Sequence, residues 1–191
     1  MRTSPLPWLI LLAAALSVAA ATTPQATPAA TAPTQAPAQA IATALNAEGR
    51  EFLRLVAQDD LLQIEAARLA TARATSPEVH AFADSTLRSR SRVQDSLIQL
   101  AAKRGAVLPG AVDESTARQL LNELQAKSGP QFDLAYSQAM LEAHRAAVRR
   151  FEQAARSDTQ DADVRAFATA QLPGLRDYLR MAQTLPSTHQ G

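Results

Sequence analysis

The stretch 132–155, FDLAYSQAMLEAHRAAVRRFEQAA, has the most regular helical pattern in the chain. Its apolar positions recur at steps of three and four residues, which predicts an amphipathic helix with one buried face. A titratable histidine lies inside that face, and such a group is either a hydrogen-bonded core residue or a ligand. The sequence leaves both interpretations open. The predicted buried face consists of Phe132, Tyr136, Met140, His144, Ala147, Val148, Phe151 and Ala155.

Four further segments have helical periodicity and recognisable end signals. Ser76, Pro77 and Glu78 favour a helix start, and Gly105 is a typical C-terminal stop. Asp113 or Ser115 is expected to cap a short helix. We therefore predict an all-α fold, an antiparallel four-helix bundle with one extra short helix in the central crossover. The predicted segments are approximately 46–74, 77–104, 115–127 and 162–185.

The first 21 residues have the layout of a secretory signal. Arg2 precedes an apolar run from Trp8 to Val18, and Ala19–Ala21 provide a cleavage site of small residues. The apolar run is shorter than the roughly 20 residues that a membrane-spanning helix needs. We expect the signal to be removed, leaving no integral membrane segment and a periplasmic or secreted protein. An uncleaved N-terminal anchor is the alternative.

The remaining chain divides into three predicted parts. Residues 22–45 contain Ala, Thr, Pro and Gln with no charged residue, which predicts a disordered tether. Residues 46–186 contain the helical-bundle domain, and 187–191 form a polar tail that we expect to be disordered.

Charge and cysteine content exclude several classes of function. Arg2 is the only charged residue before Glu48, so the rest of the chain has 18 basic and 18 acidic residues and no formal net charge. This balance argues against a nucleic-acid partner, because binding to phosphates needs a positive surface. The absence of cysteine excludes disulfides, cysteine-ligated zinc and thiol catalysis.

Two charged residues fall on predicted buried faces. Asp59 lies on the face of the first helix, and Arg90 lies on that of the second. The predicted buried face of the first helix consists of Phe52, Leu55, Val56, Leu62, Ala66, Leu69 and Ala70. Arg90 either extends its charged end to solvent along its aliphatic stem or pairs with a carboxylate inside the bundle. The candidate partners are Asp59, Glu65 and Glu142.

Across most of the predicted domain, the chain resembles an exported, ferritin-like family, the domain of unknown function 4142, whose members are often labelled outer membrane proteins. The resemblance rests on the order and spacing of several short segments. These are Ile64-Glu65 to Leu69-Ala70, Ser76-Pro77-Glu78-Val79 with Phe82-Ala83, Gly105 with Leu108-Pro109, Phe132-Asp133 with Tyr136, His144, and Leu172-Pro173 with Leu175. It implies a ferritin-like bundle and an envelope location, but no known reaction.

The chain departs from this family where the family has Asp-His pairs, a further His and two glutamates. The corresponding positions are Ser89-Arg90, Ala143-His144, Tyr178, and Gln63 with Glu65. The resemblance thus implies that an ancestral metal site has lost most of its ligands. Arg90 would supply the positive charge in a buried polar cluster with Asp59, His144 and Tyr178.

We expect a non-enzymatic envelope protein with a structural or interaction role, no catalytic residues and no cofactor. Its partner would be an unidentified envelope protein or a second copy of the chain. The alternative is a ferritin-like metal-binding or redox protein with a reduced site. That site would use His144, Glu65 and Glu142 to hold iron, manganese or zinc.

Overall fold

The computed structural model describes residues 44–112 and 115–186. Within these ranges the chain forms five helices and no strand, which confirms the all-α prediction. The predicted signal peptide, nearly all of the tether, the Asp113 cap and the tail lie outside the described residues. The helices are α1 (Ala47–Arg73), α2 (Pro77–Lys103), α3 (Ser115–Gln125), α4 (Gly129–Arg156) and α5 (Ala162–Gln183).

The turn between α1 and α2 is fixed by a carboxylate from another helix. Ser76 caps α2, its hydroxyl accepting a hydrogen bond from the backbone N–H of Val79 at 3.3 Å. Asp133, in the second turn of α4, accepts hydrogen bonds from the backbone N–H groups of Thr75 at 3.1 Å and Ser76 at 2.8 Å. Asp133 is buried. It therefore ties the α1–α2 turn to the start of α4 with charge-assisted hydrogen bonds.

The start of α1 meets the start of α5. Asn46 caps α1 and donates its own backbone N–H to the carboxylate of Asp161 at 3.0 Å. The approach is so close that a Cβ on Gly49 would lie 2.6 Å from the same carboxylate. Arg104, at the end of α2, donates to Asp161 at 2.9 Å and to Asp163 at 3.1 Å. Polar contacts thus hold three helix ends together.

Gly105 ends α2 as predicted. Its φ of 63° is a left-handed conformation that glycine adopts without steric cost. The backbone N–H of Ala106 donates to the carbonyl of Ala101 at 2.9 Å, and that of Gly105 donates to the carbonyl of Ala102 at 3.3 Å. This pairing is a Schellman motif, which satisfies carbonyls at the helix end and redirects the chain.

The helices pack in two close pairs, α1 with α2 and α4 with α5. α1 also contacts α4, and α3 lies against both of them. Buried apolar side chains form two clusters at different levels of the bundle. The first cluster centres on Phe52, Phe151 and Phe167, and the second centres on Phe82, Phe132 and Tyr136.

The buried face of α1 is rotated from the predicted one. Leu55, Leu62 and Leu69 were expected in the core, but they are only partly buried. Leu53 and Ala67 are buried instead, together with Val56, Phe52, Ala66 and Ala70, which were predicted correctly. The rotation follows from packing: α1 contacts α2, α3 and α4, so its apolar residues serve more than one face.

Asp133→Asn should lower the free energy of unfolding by about 2 kcal/mol, because a buried carboxylate that accepts backbone N–H groups loses its charge. Urea unfolding followed by circular dichroism measures this change. Asp158→Asn, at an exposed position, is the matched control. Equal midpoints for the two variants would contradict the role assigned to Asp133.

Candidate functional site

A layer of buried polar side chains separates the two apolar clusters. It consists of Asp60 and Gln63 from α1, Thr86 and Arg90 from α2, and His144 from α4, and we call it the polar layer. On each of these helices, residues of one apolar cluster precede the polar layer and residues of the other follow it.

Arg90 and Asp60 form a buried ion pair. Arg90 Nη1 donates to Asp60 Oδ1 at 2.8 Å, and the side chains are 4% and 2% exposed. Burial raises the pKa of Asp60 to about 6, while the charge and hydrogen bond of Arg90 oppose that shift. The carboxylate is therefore ionised at neutral pH, and the pair is a true ion pair between α1 and α2.

His144 is the second partner of Arg90. Arg90 Nη2 lies 3.4 Å from His144 Nδ1, and because a guanidinium can only donate, Nδ1 must accept. Burial, followed by the charge of Arg90, lowers the pKa of His144 to about 3. The imidazole is thus neutral with its proton on Nε2. No group within the described ranges pairs with that Nε2 atom.

Tyr178 from α5 closes one side of the polar layer. Its ring lies 5.8 Å from the His144 ring, and the Phe82 ring lies 5.6 Å from the same imidazole. The Tyr178 hydroxyl donates to the carbonyl of Ser85 at 2.8 Å. Its ring therefore packs on His144, while its polar end is bonded to α2.

Further polar atoms of the polar layer, and the hydroxyl of Tyr136 beside it, are buried without a clear partner among the described residues. Both side-chain atoms of Gln63, the Thr86 hydroxyl and the Tyr136 hydroxyl have no hydrogen bond of standard geometry to any described residue. Burial raises the pKa of the Tyr136 phenol, and the neighbouring Thr86 hydroxyl opposes that shift. The phenol therefore stays protonated.

The prediction that Asp59 joins the buried cluster is wrong. Asp59 is partly exposed and forms an ion pair with Arg150 of α4. Asp60 takes the inner position because the buried face of α1 is rotated by one residue. Arg90, His144 and Tyr178 lie together around the polar layer, and the extended-to-solvent alternative for Arg90 does not hold.

The other two carboxylates proposed as partners of Arg90 lie at the surface. Glu65 pairs with Arg68 at 2.6 Å, and Glu142 pairs with Arg145 at 2.7 Å. Their side chains are 46% and 67% exposed. Residues two apart on a helix face different directions, so Glu142 cannot approach a ligand shared with His144.

The structure does not bring His144, Glu65 and Glu142 together at one site. His144 carries its proton on Nε2, accepts from Arg90 at Nδ1 and faces a positive charge, so neither nitrogen offers a free lone pair to a cation. Within 44–112 and 115–186, no three His, Asp or Glu residues lie close enough to hold a metal ion.

Asp60 is the important residue that the sequence analysis missed. One signal for it exists, since Leu53, Ala57, Asp60, Gln63 and Ala67 form a second series at three- and four-residue steps. That series competes with the one through Leu55, Leu62 and Leu69. Because leucine is larger and more apolar than alanine, the series with three leucines predicted the wrong buried face for α1.

The fold and the polar layer define an all-helical bundle protein with an internally paired arginine in its core. The chain belongs to the family described as "Domain of unknown function (DUF4142)", whose model matches residues 34–185. The match begins inside the predicted tether and covers all five helices. The family resemblance inferred from the sequence is confirmed.

A solved structure with a similar fold is the crystal structure of a DUF305 fragment from Deinococcus radiodurans. The TM-score is 0.63 at 14% sequence identity, and the match covers 73% of this chain and 95% of that chain. At this identity, the likeness supports the helical fold alone. No curated protein matches the sequence. Among the helices described, none is long and apolar enough to cross a membrane.

Arg90→Met and Asp60→Leu should each destabilise the protein by about 3–5 kcal/mol, because each leaves one buried charge without its partner. The double variant should recover most of this loss, since it replaces the pair by apolar side chains. The unfolding free energies of wild type, the two single variants and the double variant give the coupling energy between Arg90 and Asp60.

Arg150→Met and Asp59→Leu form the matched control cycle on a partly exposed pair. Its coupling energy should be at most about 1 kcal/mol. If the losses of unfolding free energy in Arg90→Met and Asp60→Leu added up to the loss in the double variant, Arg90 and Asp60 would not stabilise the fold as a pair.

His144→Gln should remove part of the acid sensitivity of the fold. A histidine whose pKa is depressed in the native state stabilises the fold above its unfolded pKa of about 6.5, and this contribution is lost as pH falls towards 3. Between pH 7.5 and 5, wild type should lose about 2 kcal/mol more than the variant.

Asp60 titrates in both proteins, so its contribution cancels in this comparison. Urea unfolding at the two pH values measures the difference, with His80→Gln removing the same side chain from an exposed position. Parallel pH profiles for wild type and His144→Gln would show that His144 is not held neutral.

Proposed function

We propose that this protein is an exported, non-enzymatic component of the cell envelope with a structural or interaction role. The observation that carries the proposal is the contact of Arg90 with both Asp60 and His144. Through this contact, the ionisable groups Asp60, Arg90 and His144 in the core bind one another. Acid–base catalysis needs a group that can reach a substrate, and these groups are sealed inside the bundle.

The N-terminal sequence supports the location. Residues 1–21 have the charge, apolar run and small residues of a secretory signal, and the sequence resemblance implies an exported family. Within the envelope, the domain would act through its outer surface, towards an envelope protein or a second copy of the chain.

We also infer that the bundle is ferritin-like, with α1, α2, α4 and α5 antiparallel and α3 in the crossover. The contacts at the helix ends support this arrangement. The start of α1, the end of α2 and the start of α5 share Asp161, while Asp133 joins the α1–α2 turn to the start of α4. On these contacts α1 and α5 run in one direction and α2 and α4 in the other, so each close pair is antiparallel and the crossover with α3 connects two helices of the same direction.

One experiment tests location and chemistry together. Cells expressing the full chain without a His tag are fractionated, and the protein is purified from the fraction that contains it. It is then incubated with iron, manganese and zinc, desalted and analysed for metal. We expect the protein in the envelope or periplasmic fraction, shortened at its N-terminus, with no stoichiometric metal.

Retention of a metal that is lost in His144→Ala but kept in His80→Ala would overturn the non-metal part of the proposal. A protein of full length in the cytoplasmic fraction would overturn export. The two readouts are independent, so either part can fail alone.

A further inference from the structure

We propose that the groove between α1, α3 and α4 binds a small primary amine. The alkyl chain of the ligand lies on the apolar floor of the groove, and its ammonium group lies between Glu123 and Glu142. The groove has a volume of about 510 Å³, within the range of about 300–1,000 Å³ that is usual for small-molecule sites. The apolar residues that line it are Leu62, Ala117, Leu120, Ala139, Ala143 and Ala146.

The position of α3, which forms one wall of the groove, is fixed on both sides by α1. Before α3, the buried side chain of Gln58 donates to the carbonyl of Ala111 at 3.1 Å. After it, Arg73 donates to the carbonyls of Gln125 at 2.7 Å and Lys127 at 3.3 Å. Both donors belong to α1. The groove is therefore part of the fold, with walls that are in place before a ligand binds.

The floor of the groove consists of apolar side chains that the core does not cover. Leu62 belongs to the leucine series of α1 that is turned away from the core, and it is only partly buried. On α4, Ala139 and Ala143 are partly buried as well. Because alanine is short, these positions leave open space between the helices. An alkyl chain that covers this surface is removed from water, which favours binding.

The charged residues that line the groove are acidic. They are Asp59, Glu123 and Glu142, and none of the described lining residues is Lys or Arg. Asp59 pairs with Arg150, so the other two carboxylates are the candidates for contact with a ligand. Glu123 of α3 and Glu142 of α4 also line a second groove of about 340 Å³, in which Lys127 lies. The two carboxylates therefore lie on neighbouring helices where the two grooves adjoin.

The existing contacts of these two carboxylates leave room for a cation. Glu123 accepts a hydrogen bond from the neutral amide of Gln119 at 2.9 Å, which does not balance its charge. Glu142 pairs with Arg145 at 2.7 Å, and both side chains are exposed. An exposed pair of this kind contributes little to stability, so exchanging it costs little. An ammonium group gains charge-assisted hydrogen bonds here, whereas an anion is repelled.

Three probes with six carbons and different charges test this selection. Hexylammonium, hexan-1-ol and hexanoate are each titrated into the ¹⁵N-labelled protein at low salt, where surface charges are screened least. The amide shifts of Leu120, Ala139 and Ala143 are followed by NMR. We expect saturable shifts with hexylammonium, an affinity about tenfold weaker for hexan-1-ol, and the weakest binding for hexanoate.

Removal of one carboxylate at a time provides the second test. Glu123→Gln and Glu142→Gln should each weaken the binding of hexylammonium several-fold and leave the binding of hexan-1-ol unchanged. Asp177→Asn is the matched control, because it removes an exposed carboxylate of α5 that also pairs with an arginine three residues away. This control should change neither affinity.

A filled groove provides the third test. Ala143→Leu places a larger side chain on the floor and should abolish the shifts, while Ala81→Leu, at an exposed position of α2, should leave them unchanged. Equal affinity for hexylammonium and hexan-1-ol, or no saturable shift with hexylammonium, would overturn the proposal. An unchanged preference for hexylammonium in both glutamine variants, or unchanged binding in a folded Ala143→Leu protein, would overturn it as well. If Ala143→Leu does not fold, the comparison of probes decides the question.

Discussion

Arg90 and Asp60 bring opposite charges into the middle of the bundle, where either charge would be costly to bury alone. Their hydrogen bond of 2.8 Å joins α1 to α2, and the second contact of Arg90, to His144, reaches α4. Three helices therefore share one guanidinium. Any packing that separates these residues leaves a buried charge unpaired, so the native arrangement is favoured over its competitors.

The polar layer also explains the division of the core. Apolar contacts alone are tolerant of sliding, because one layer of leucine, alanine and phenylalanine resembles the next. A shift of α2 by one turn would place Arg90 against an apolar cluster. The two apolar clusters contain most of the buried residues, while the ion pair between them specifies the register. That division of roles is consistent with a scaffold whose interior is committed to its own structure.

Much of the fold could be predicted from the sequence. Proline, glycine and capping residues marked the helix ends, and the regular pattern of 132–155 identified the face of α4 that carries His144. The partner of Arg90 could not be predicted, because Asp59 and Asp60 are adjacent and α1 has two overlapping apolar series. Only tertiary packing decides which series faces the core.

The two titrating members of the polar layer act in opposite directions on stability. Burial raises the pKa of Asp60 from 3.8 to about 6. Its contribution to the free energy of unfolding is therefore fully present below pH 3.8 and is lost as the pH rises through 6. His144 has a lowered pKa of about 3, so its contribution is present above about 6.5 and is lost as pH falls. Over the acid range between these values the two changes partly cancel. The polar layer can therefore hold the register of the bundle with less pH dependence than either group would impose alone.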